Sequence, residues 1–397
     1  MSLDLSKVAP QIGEMVGKMR SGLEERQKRL RIALDVMAEQ QASLEPLKKK
    51  IEASKTSWLV AGLTGGIAGR TASPNPPADF TVIATDGSHI EVDRHQVARC
   101  FLLNISHVLL RYGHKPDAIL ESVPRLYAEQ NELVIVPPGQ GREQFIEGNL
   151  LGAKRSVEEC RHLAEMAAAL PTGSPTVALL DGTLMLWGLE SYPDFVTEIL
   201  LDKGLVREFD RLLRIGKEKA LAFGSYISAP RSTDVVNALR VAICPHEAAN
   251  CDEYCKAGSR ACDDMAALTD AELFSSLLSP GERSDVFCSR SKIVKEHYLD
   301  HSIQFFYLRL DEEVARIEMP AWVADDQSRL GLMHSLVFDQ CRRGNGYPVA
   351  LSEAHEQAVV TGADRENFWQ LVEAGMAEER LFTSSTGKSM SKKTRWV

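Results

Sequence analysis

The sequence lacks any long apolar run. Among its 397 residues, no stretch approaches the roughly 20 consecutive apolar residues that a membrane-spanning helix needs. The N-terminal segment lacks a basic region followed by an apolar run, so we expect no secretory signal. Eight cysteines without such a signal suggest a reducing compartment, where thiols stay free or bind metal. The sequence therefore predicts a cytoplasmic protein without a membrane anchor.

An excess of basic residues is also missing. The chain has 46 Lys and Arg against 55 Asp and Glu, which gives a formal net charge of -9. Such a chain is not a general nucleic-acid coat, because binding to phosphate depends on Lys and Arg placed along the strand. Any contact with DNA must therefore come from local basic patches.

Helical periodicity dominates the N-terminal part. Between about residues 10 and 56, apolar residues recur at helical spacing among many charges, which predicts one or two long amphipathic helices. The apolar stripe could pack on the rest of the chain or on a partner, and both alternatives stay open. Residues 62–79 are rich in Gly and Pro and indicate a linker or loop. We therefore divide the chain into a helical arm (1–61), a main domain with helical and cysteine-containing insertions (80–382), and a basic, disordered tail (383–397).

Two short apolar segments end at the same dipeptide. Residues 80–85 are followed by Asp86 and a glycine, and residues 176–180 by Asp181 and a glycine. Both segments have the composition of buried strands, and glycine lets a ligand approach the backbone closely. Two carboxylates brought together in this way could bind divalent cations and support phosphodiester hydrolysis. Asp-Gly is also a common turn dipeptide, so the alternative is that each pair only ends a strand.

The segment YPVALSEAHE, residues 347–356, carries two further side chains of interest. If a helix begins near Leu351, His355 lies one turn into it and Tyr347 lies in the loop before it. A neutral imidazole can ligate a metal ion or carry a proton. The alternative is a histidine with no role beyond the surface or the core.

Five segments together resemble the NurA nuclease family in its bacterial form. They are, in the family's order, VIATDGSHIE, VALLDGTLMLW, SYISAPRSTDVVNALR, FFYLRLDEEVARIEMPAWVA and GYPVALSEAHEQAVVTGADRENFW. The resemblance extends from about residue 80 to 372. It implies an α/β fold with an RNase H-like mixed sheet flanked by helices, here preceded by the arm of long helices.

The resemblance also implies a manganese-dependent active site. The family's site contains two aspartates, a tyrosine and a histidine, and the matching positions are Asp86, Asp181, Tyr347 and His355. A glutamate from the helix before the second strand completes it. We predict that this residue is Glu159, with Glu158 as the alternative.

Metal and DNA would be bound by different side chains of this site. The predicted metal ligands are Asp86, Glu159, Asp181 and His355. Oxygen ligands with one imidazole suit Mn²⁺, and Mg²⁺ is a second possibility. The family's positively charged residue, which would contact DNA, could be Arg231 or Lys292.

The activity implied by the resemblance is DNA cleavage. It comprises 5′-to-3′ exonuclease and single-strand endonuclease activity, in end resection during double-strand-break repair. It also implies a homodimer that works with a HerA-like hexameric ATPase. Two alternatives remain: a catalytically inactive NurA-like scaffold that binds DNA and the ATPase, and an RNase H-like enzyme acting on RNA or on a junction.

Four cysteines lie close together in the sequence. They are Cys244, Cys251, Cys255 and Cys262, with the spacing C-x6-C-x3-C-x6-C. Four such thiols could hold a structural Zn²⁺ or an iron–sulfur cluster. The outer spacings match no standard pattern, so a set of unrelated thiols is the alternative.

Overall fold

The computed structural model of this protein describes residues 4–91, 98–139, 141–255 and 260–381. The predicted tail, 383–397, lies outside the described residues. The chain divides into two compact units. The first unit comprises the described residues of Met1–Ala72, Ser228–Ser291 and Gln304–Arg316. The second unit comprises the described residues of Ser73–Ile227, Lys292–Ile303 and Ile317–Val397. The domain boundaries drawn from the sequence stay a prediction.

Helices and strands alternate through most of the described chain. The α-helices are α1 (Leu5–Gln41), α2 (Leu44–Ala53), α3 (Gln130–Leu133), α4 (Asn149–Ala169), α5 (Asp194–Thr197), α6 (Arg207–Glu218), α7 (Asp234–Ala242), α8 (Cys251–Tyr254), α9 (Asp270–Leu277), α10 (Lys292–His297), α11 (Ala321–Ala324), α12 (Gln327–Arg343), α13 (Val349–Ala358) and α14 (Gly362–Glu378). A π-helical segment spans Glu198–Val206, and short 3₁₀ turns span Trp187–Ser191, Ala261–Met265 and Leu299–His301. In the part of the chain that the structure describes, no helix combines the length and the apolar character that crossing a membrane requires.

The strands are shorter, apart from one long hairpin. They are β1 (Gly62–Leu63), β2 (Arg70–Ala72), β3 (Phe80–Thr85), β4 (Gly87–Ile90), β5 (Phe101–Tyr112), β6 (Asp117–Tyr127), β7 (Val134–Ile135), β8 (Gln144–Phe145), β9 (Thr176–Asp181), β10 (Leu221–Ile227), β11 (Glu282–Ser284), β12 (Phe287–Cys288), β13 (Ile303–Arg309) and β14 (Val314–Pro320). The predicted linker, 62–79, contains β1 and β2. Strands of two and three residues are too short to leave a periodic pattern in a segment rich in Gly and Pro.

The first unit packs the end of a long helix into its core. Ala33, Val36 and Met37, near the C-terminal end of α1, are buried. They pack in one apolar cluster with residues of α2, α7 and α9 and with the aromatic side chains of β12 and β13. The part of α1 before Leu30 is exposed except at Val8 and Arg29, which are half-buried. The predicted long N-terminal helix is therefore present, with its C-terminal end buried in the core of this unit.

The second unit contains a mixed sheet. Strand β9 lies between β3 and β10 and is parallel to both. Strand β5 pairs antiparallel with β3, and both β4 and β6 pair antiparallel with β5. Helices α4 and α6 pack with these strands in one apolar core. The predicted α/β fold, with a mixed sheet flanked by helices, is confirmed.

The two central parallel strands are buried throughout. All residues of β3 are buried, and so are all residues of β9 except Asp181. Parallel strands covered on both faces read as continuous apolar runs, which is why the sequence located both of them. Thr85 pairs with Leu180 in the register of the two strands. The next residues, Asp86 and Asp181, therefore follow at the same edge of the sheet.

The long β5–β6 hairpin was missed by the sequence analysis. Its outer strand, β6, is exposed at most positions and contains Pro124 and several charges. Such a segment lacks the alternation of apolar and polar residues by which a strand is recognised. The nearby apolar run of residues 133–138 contributes only β7, of two residues.

Gly224 in β10 tests the packing of the second unit. A Cβ there would lie 2.5 Å from the backbone oxygen of Glu318 and 2.9 Å from Cε of Met333. We expect Gly224→Ala to lower the free energy of unfolding by about 1–3 kcal/mol, as overpacking does. Gly152→Ala in α4, where a Cβ meets open space, is the control and should raise stability by roughly 0.5–1 kcal/mol. Denaturant titration measures both changes, and two effects of the same sign would contradict this packing.

Candidate active site

Asp86 is fixed by the strand beside it. Its backbone N–H donates to Ser106 Oγ at 2.9 Å, and its backbone oxygen accepts from the Ser106 N–H at 2.9 Å. The carboxylate of Asp86 accepts from the N–H of Gly87 at 2.7 Å, and Asp181 accepts from the N–H of Gly182 at 3.0 Å. Each aspartate is thus oriented by the glycine that follows it.

The two glycines serve different purposes. A Cβ at Gly87 would lie 2.6 Å from Glu159 Oε1 and 2.9 Å from Arg155 Cγ, so only glycine leaves room for these side chains. Gly182 has φ +78°, a left-handed conformation that disfavours other residues. The repeated Asp-Gly dipeptide therefore reflects close packing at one strand end and backbone conformation at the other.

The loop after Asp181 is anchored from β14. The hydroxyl of Thr183 and the N–H of Leu184 donate to the buried carboxylate of Glu318 at 2.8 and 3.0 Å. The hydroxyl of Tyr298 donates to the backbone oxygen of Leu184 at 2.8 Å. These bonds hold the chain where it leaves the sheet edge.

Glu159 comes to the two aspartates from α4. The hydroxyl of Thr85 donates to the backbone oxygen of Glu159 at 3.0 Å and ties the helix to β3. Burial raises the pKa of Glu159 to about 8 against the opposing charge of Arg155, and the charges of Asp86 and Asp181 add to the rise. Partial desolvation and the charge of Asp86 likewise raise the pKa of Asp181. We call Asp86, Glu159 and Asp181 the carboxylate cluster.

Glu158, the alternative glutamate, makes other contacts. It forms ion pairs with Lys154 at 2.7 Å and with Arg161 at 2.6 Å. Burial would raise the pKa of Glu158, but these two positive charges outweigh it and lower the pKa. The structure therefore brings Glu159, and not Glu158, to the two aspartates.

A tight turn brings Tyr347 to Asp181. Asn345 and Gly346 have φ values of +53° and +107°, and a Cβ at Gly344 would lie 2.0 Å from the backbone oxygen of Tyr347. The hydroxyl of Tyr347 donates to Asp181, and its ring packs edge-on against Tyr226 at 5.3 Å between centroids. Burial, followed by the charge of Asp181, raises the pKa of Tyr347, so its hydroxyl stays protonated.

His355 reaches Asp86 from α13. Its Nδ1 lies 3.0 Å from Asp86 Oδ2, while 69% of its side chain is exposed. The helix is held at its start, where the Ala350 N–H donates to Gln340 Oε1 at 3.1 Å. It is held at its end where Asn104 Nδ2 donates to the backbone oxygen of Ala358 at 3.0 Å. The five predicted catalytic residues thus converge on one edge of the sheet.

Three cationic residues bear on the predicted DNA contact, and the sequence analysis missed one of them. Arg231 is exposed in a loop of the first unit. Lys292 is exposed at the start of α10, 3.9 Å from Glu296. Arg155 is the cation beside the carboxylate cluster, with Nε 3.0 Å from Glu159 Oε1. The sequence signal that could have identified Arg155 is its position one helical turn before Glu159.

The four clustered cysteines are free thiols of intermediate burial. Burial, with a smaller effect of Cys255, raises the pKa of Cys251, and Cys262 Sγ lies 3.9 Å from a guanidinium nitrogen of Arg240. Residues 256–259 lie outside the described residues. Over the residues that are described, no three His, Cys, Asp or Glu side chains are arranged to hold a metal ion. The predicted Zn²⁺ or iron–sulfur site therefore gains no support.

Within the described residues, the side chains of the carboxylate cluster are likewise not arranged to hold a metal ion as they stand. The donor set nevertheless fits a hard divalent cation. Glu159 Oε1 is buried and, within the described chain, has no hydrogen-bond partner. A cation ligated by these oxygens would relieve the repulsion that raises the pKa of Glu159.

Comparison with known proteins gives one family match. The NurA domain model matches residues 80–360. The chain is similar to a solved NurA structure with manganese, with a TM-score of 0.37, 12% identity and coverage of 89% of this chain and 98% of that chain. It is similar to LC9-RNase H1, a type 1 RNase H with the type 2 active-site motif, with a TM-score of 0.22, 9% identity and coverage of 42% and 71%. No curated protein matches the chain in sequence.

Glu158 and Glu159 should affect stability in opposite directions. Because the pKa of folded Glu159 is about 8, against an ordinary 4.5, its ionisation destabilises the metal-free protein as pH rises between these values. We expect Glu159→Gln to raise the free energy of unfolding above pH 8 in EDTA, and to change it little below pH 4.5.

Glu158→Gln is the matched control on the same helix. The pKa of Glu158 is lowered on folding, so its ion pairs stabilise the protein above pH 4.5 and this stabilisation is lost as pH falls through the lowered pKa. Glu158→Gln should therefore lower the free energy of unfolding at neutral pH. Denaturant titrations across pH measure both, and equal responses would contradict the different placement of the two carboxylates.

Proposed function

We propose, on the premise that this chain belongs to the NurA family, that it is a metal-dependent deoxyribonuclease with catalytic residues Asp86, Glu159, Asp181, Tyr347 and His355. Family membership implies a nuclease-type function. The observation that supports this site most strongly is the convergence of three carboxylates from β3, α4 and β9, with Tyr347 on one aspartate and His355 on the other.

The side chains that would hold a metal ion are Asp86, Glu159, Asp181 and His355. Carboxylate oxygens with one imidazole suit Mn²⁺, and Mg²⁺ is the second choice. When bound, such ions activate water and stabilise the leaving oxygen in phosphodiester hydrolysis. Arg231 and Lys292 remain candidates for DNA contacts.

The protein's own groups hold protons and orient the cluster. Tyr347 stays protonated and donates to Asp181, which fixes the direction of that carboxylate. His355 contacts Asp86 through Nδ1, and most of its side chain is exposed to solvent. Tyr347 and His355 thus orient different aspartates of the cluster.

The activity we propose is 5′-to-3′ exonuclease and single-strand endonuclease cleavage, in DNA end resection and double-strand-break repair. The alternative is a catalytically inactive scaffold that binds DNA and an ATPase. Mutual repulsion within the carboxylate cluster argues against it. Such repulsion destabilises the folded chain, and a protein that only binds DNA gains nothing from it.

Loss of one aspartate tests the site. We expect Asp181→Asn, which keeps the shape and removes the charge, to reduce Mn²⁺-dependent cleavage to background while the fold is retained. Asp300→Asn, at an exposed aspartate of the same unit, is the control and should cleave normally. The measurement uses 5′- and 3′-labelled single- and double-stranded DNA with Mn²⁺, Mg²⁺ or EDTA. A folded Asp181→Asn protein that still cleaves rejects the assignment, and a native protein that binds DNA without cutting it favours the scaffold.

We also propose a homodimer that binds a HerA-like hexameric ATPase. The exposed part of α1 carries apolar side chains that the unit's own core does not cover, namely Leu5, Ile12, Met15, Val16, Met19 and Leu23. An acidic chain should hold duplex DNA weakly by itself, because affinity depends on the phosphates that it neutralises. A motor that feeds DNA to the nuclease would compensate for this weakness.

Light scattering tests the partnership. We expect a mass of two chains for the pure protein, co-elution with a HerA-like ATPase, and ATP-dependent stimulation of cleavage at duplex ends. Met19→Glu in α1 should yield monomers. Ser21→Glu, about 200° further round the helix, should leave the dimer intact. A monomeric native protein that neither co-elutes with the ATPase nor is stimulated by it would remove the proposal.

A further inference from the structure

Arg155 is held beside the carboxylate cluster by packing. Its stem passes over Gly87, where even a Cβ would lie 2.9 Å from Arg155 Cγ. Its Nε lies 3.0 Å from Glu159 Oε1, and 33% of the side chain is exposed. Because Nε itself is buried, the exposed third belongs to other atoms of the side chain. A partly exposed arginine therefore lies next to the cluster.

The neighbouring cations of α4 are engaged differently. Lys154 pairs with Glu158, and Arg161 pairs with both Glu158 and Glu165. Arg155 meets Glu159 within ion-pair distance, but Nε and Oε1 are not aligned for a hydrogen bond. A guanidinium has five N–H donors in a planar fork, and this single contact occupies one edge of it. Arg155 is thus the cation of this helix that lies beside the carboxylate cluster and is also partly exposed.

A strand of DNA that approaches this edge brings negative charge to three carboxylates. Repulsion between them must be offset by positive charge near the phosphate, and the arginine fork matches phosphate oxygens in geometry as well as charge. Of the two cations suggested by the sequence, Lys292 pairs with Glu296 within α10. Arg231 lies exposed in a loop of the first unit. Glu159, once its charge is shared with a divalent cation, would no longer need Arg155 as its counter-charge.

We propose, resting on the nuclease function proposed above, that Arg155 binds a non-bridging phosphate oxygen of the DNA strand at this site. It is then a residue of the active site that touches the substrate. It sets how tightly the strand is held over the carboxylate cluster.

Equilibrium binding of a fluorescent single-stranded oligonucleotide tests this role. Ca²⁺ replaces Mn²⁺, and a gel of the same samples checks that the strand stays intact. We expect Arg155→Gln to weaken binding by about tenfold or more, the effect of losing a charged hydrogen bond. The slope of log K against log salt should become shallower by about 0.7, the value for one phosphate contact on a single strand.

Lys154→Gln is the matched control, since it removes one positive charge from the adjacent position of the same helix. Its partner Glu158 makes no part of the cluster, so the variant should bind DNA nearly as the native protein does. Arg155→Lys should keep the salt slope and lose part of the affinity, because it retains the charge without the fork. Equal losses in Arg155→Gln and Lys154→Gln, or no loss in either, overturn the proposal.

Neutral linkages in the DNA provide a test that does not need the Gln variant to fold. Each oligonucleotide of a set carries a single methylphosphonate, at a different position in each. The affinity of every oligonucleotide is measured for the native protein and for Arg155→Lys. At the contacted linkage, the native protein should lose more affinity than Arg155→Lys does, and the other positions should show no such difference. The absence of any such position overturns the assignment of Arg155.

The native protein separates this proposal from the one on which it rests. If it neither binds nor cuts DNA, the nuclease function is wrong and the role of Arg155 falls with it. If it cuts DNA with Mn²⁺ while Arg155→Gln behaves as Lys154→Gln does, the nuclease function stands and the Arg155 assignment is wrong.

Discussion

Parallel pairing of β3 with β9 places two negative charges at one edge of the sheet, and the surrounding structure accommodates them. The register Thr85 to Leu180 leaves no freedom in where the following aspartates begin. Glu159 then enters from α4 because Thr85, the last residue of β3, also binds that helix. One residue of β3 therefore determines both the position of Asp86 and the approach of the third carboxylate.

The like charges of the three carboxylates are tolerated because each carboxylate has its own hydrogen-bond or ion-pair partners. Asp86 is bonded to Gly87 and His355, Asp181 to Gly182 and Tyr347, and Glu159 is paired with Arg155. The compensation is incomplete for Glu159, whose pKa is about 8. Strain of this kind is typical of functional sites, where the surrounding fold maintains an arrangement that is unfavourable by itself.

The sequence predicted the central strands well and the site only in part. Segments 80–85 and 176–180 were recognised because a strand buried on both faces is a continuous apolar run. Spacing could not choose between Glu158 and Glu159, since adjacent helical residues differ only by about 100° in direction. Because of that difference, Glu158 lies beside two cations and Glu159 beside the two aspartates. Which glutamate faces the aspartates depends on how α4 is rotated against β3. Arg155 was missed for the same reason, because its role follows from the face of the helix rather than from a motif.

The β5–β6 hairpin has a consequence for how copies of this protein coexist in a crowded solution. Among the described strands, β6 pairs with β5 alone, so its other side presents backbone groups that a foreign strand could bind. A long open edge of this kind ordinarily invites aggregation. Pro124 interrupts the row of N–H donors, and Asp117, Glu121 and Arg125 add charges that an approaching strand must desolvate. The proline and the charges that hid β6 from sequence analysis therefore also disfavour pairing of this edge with another strand.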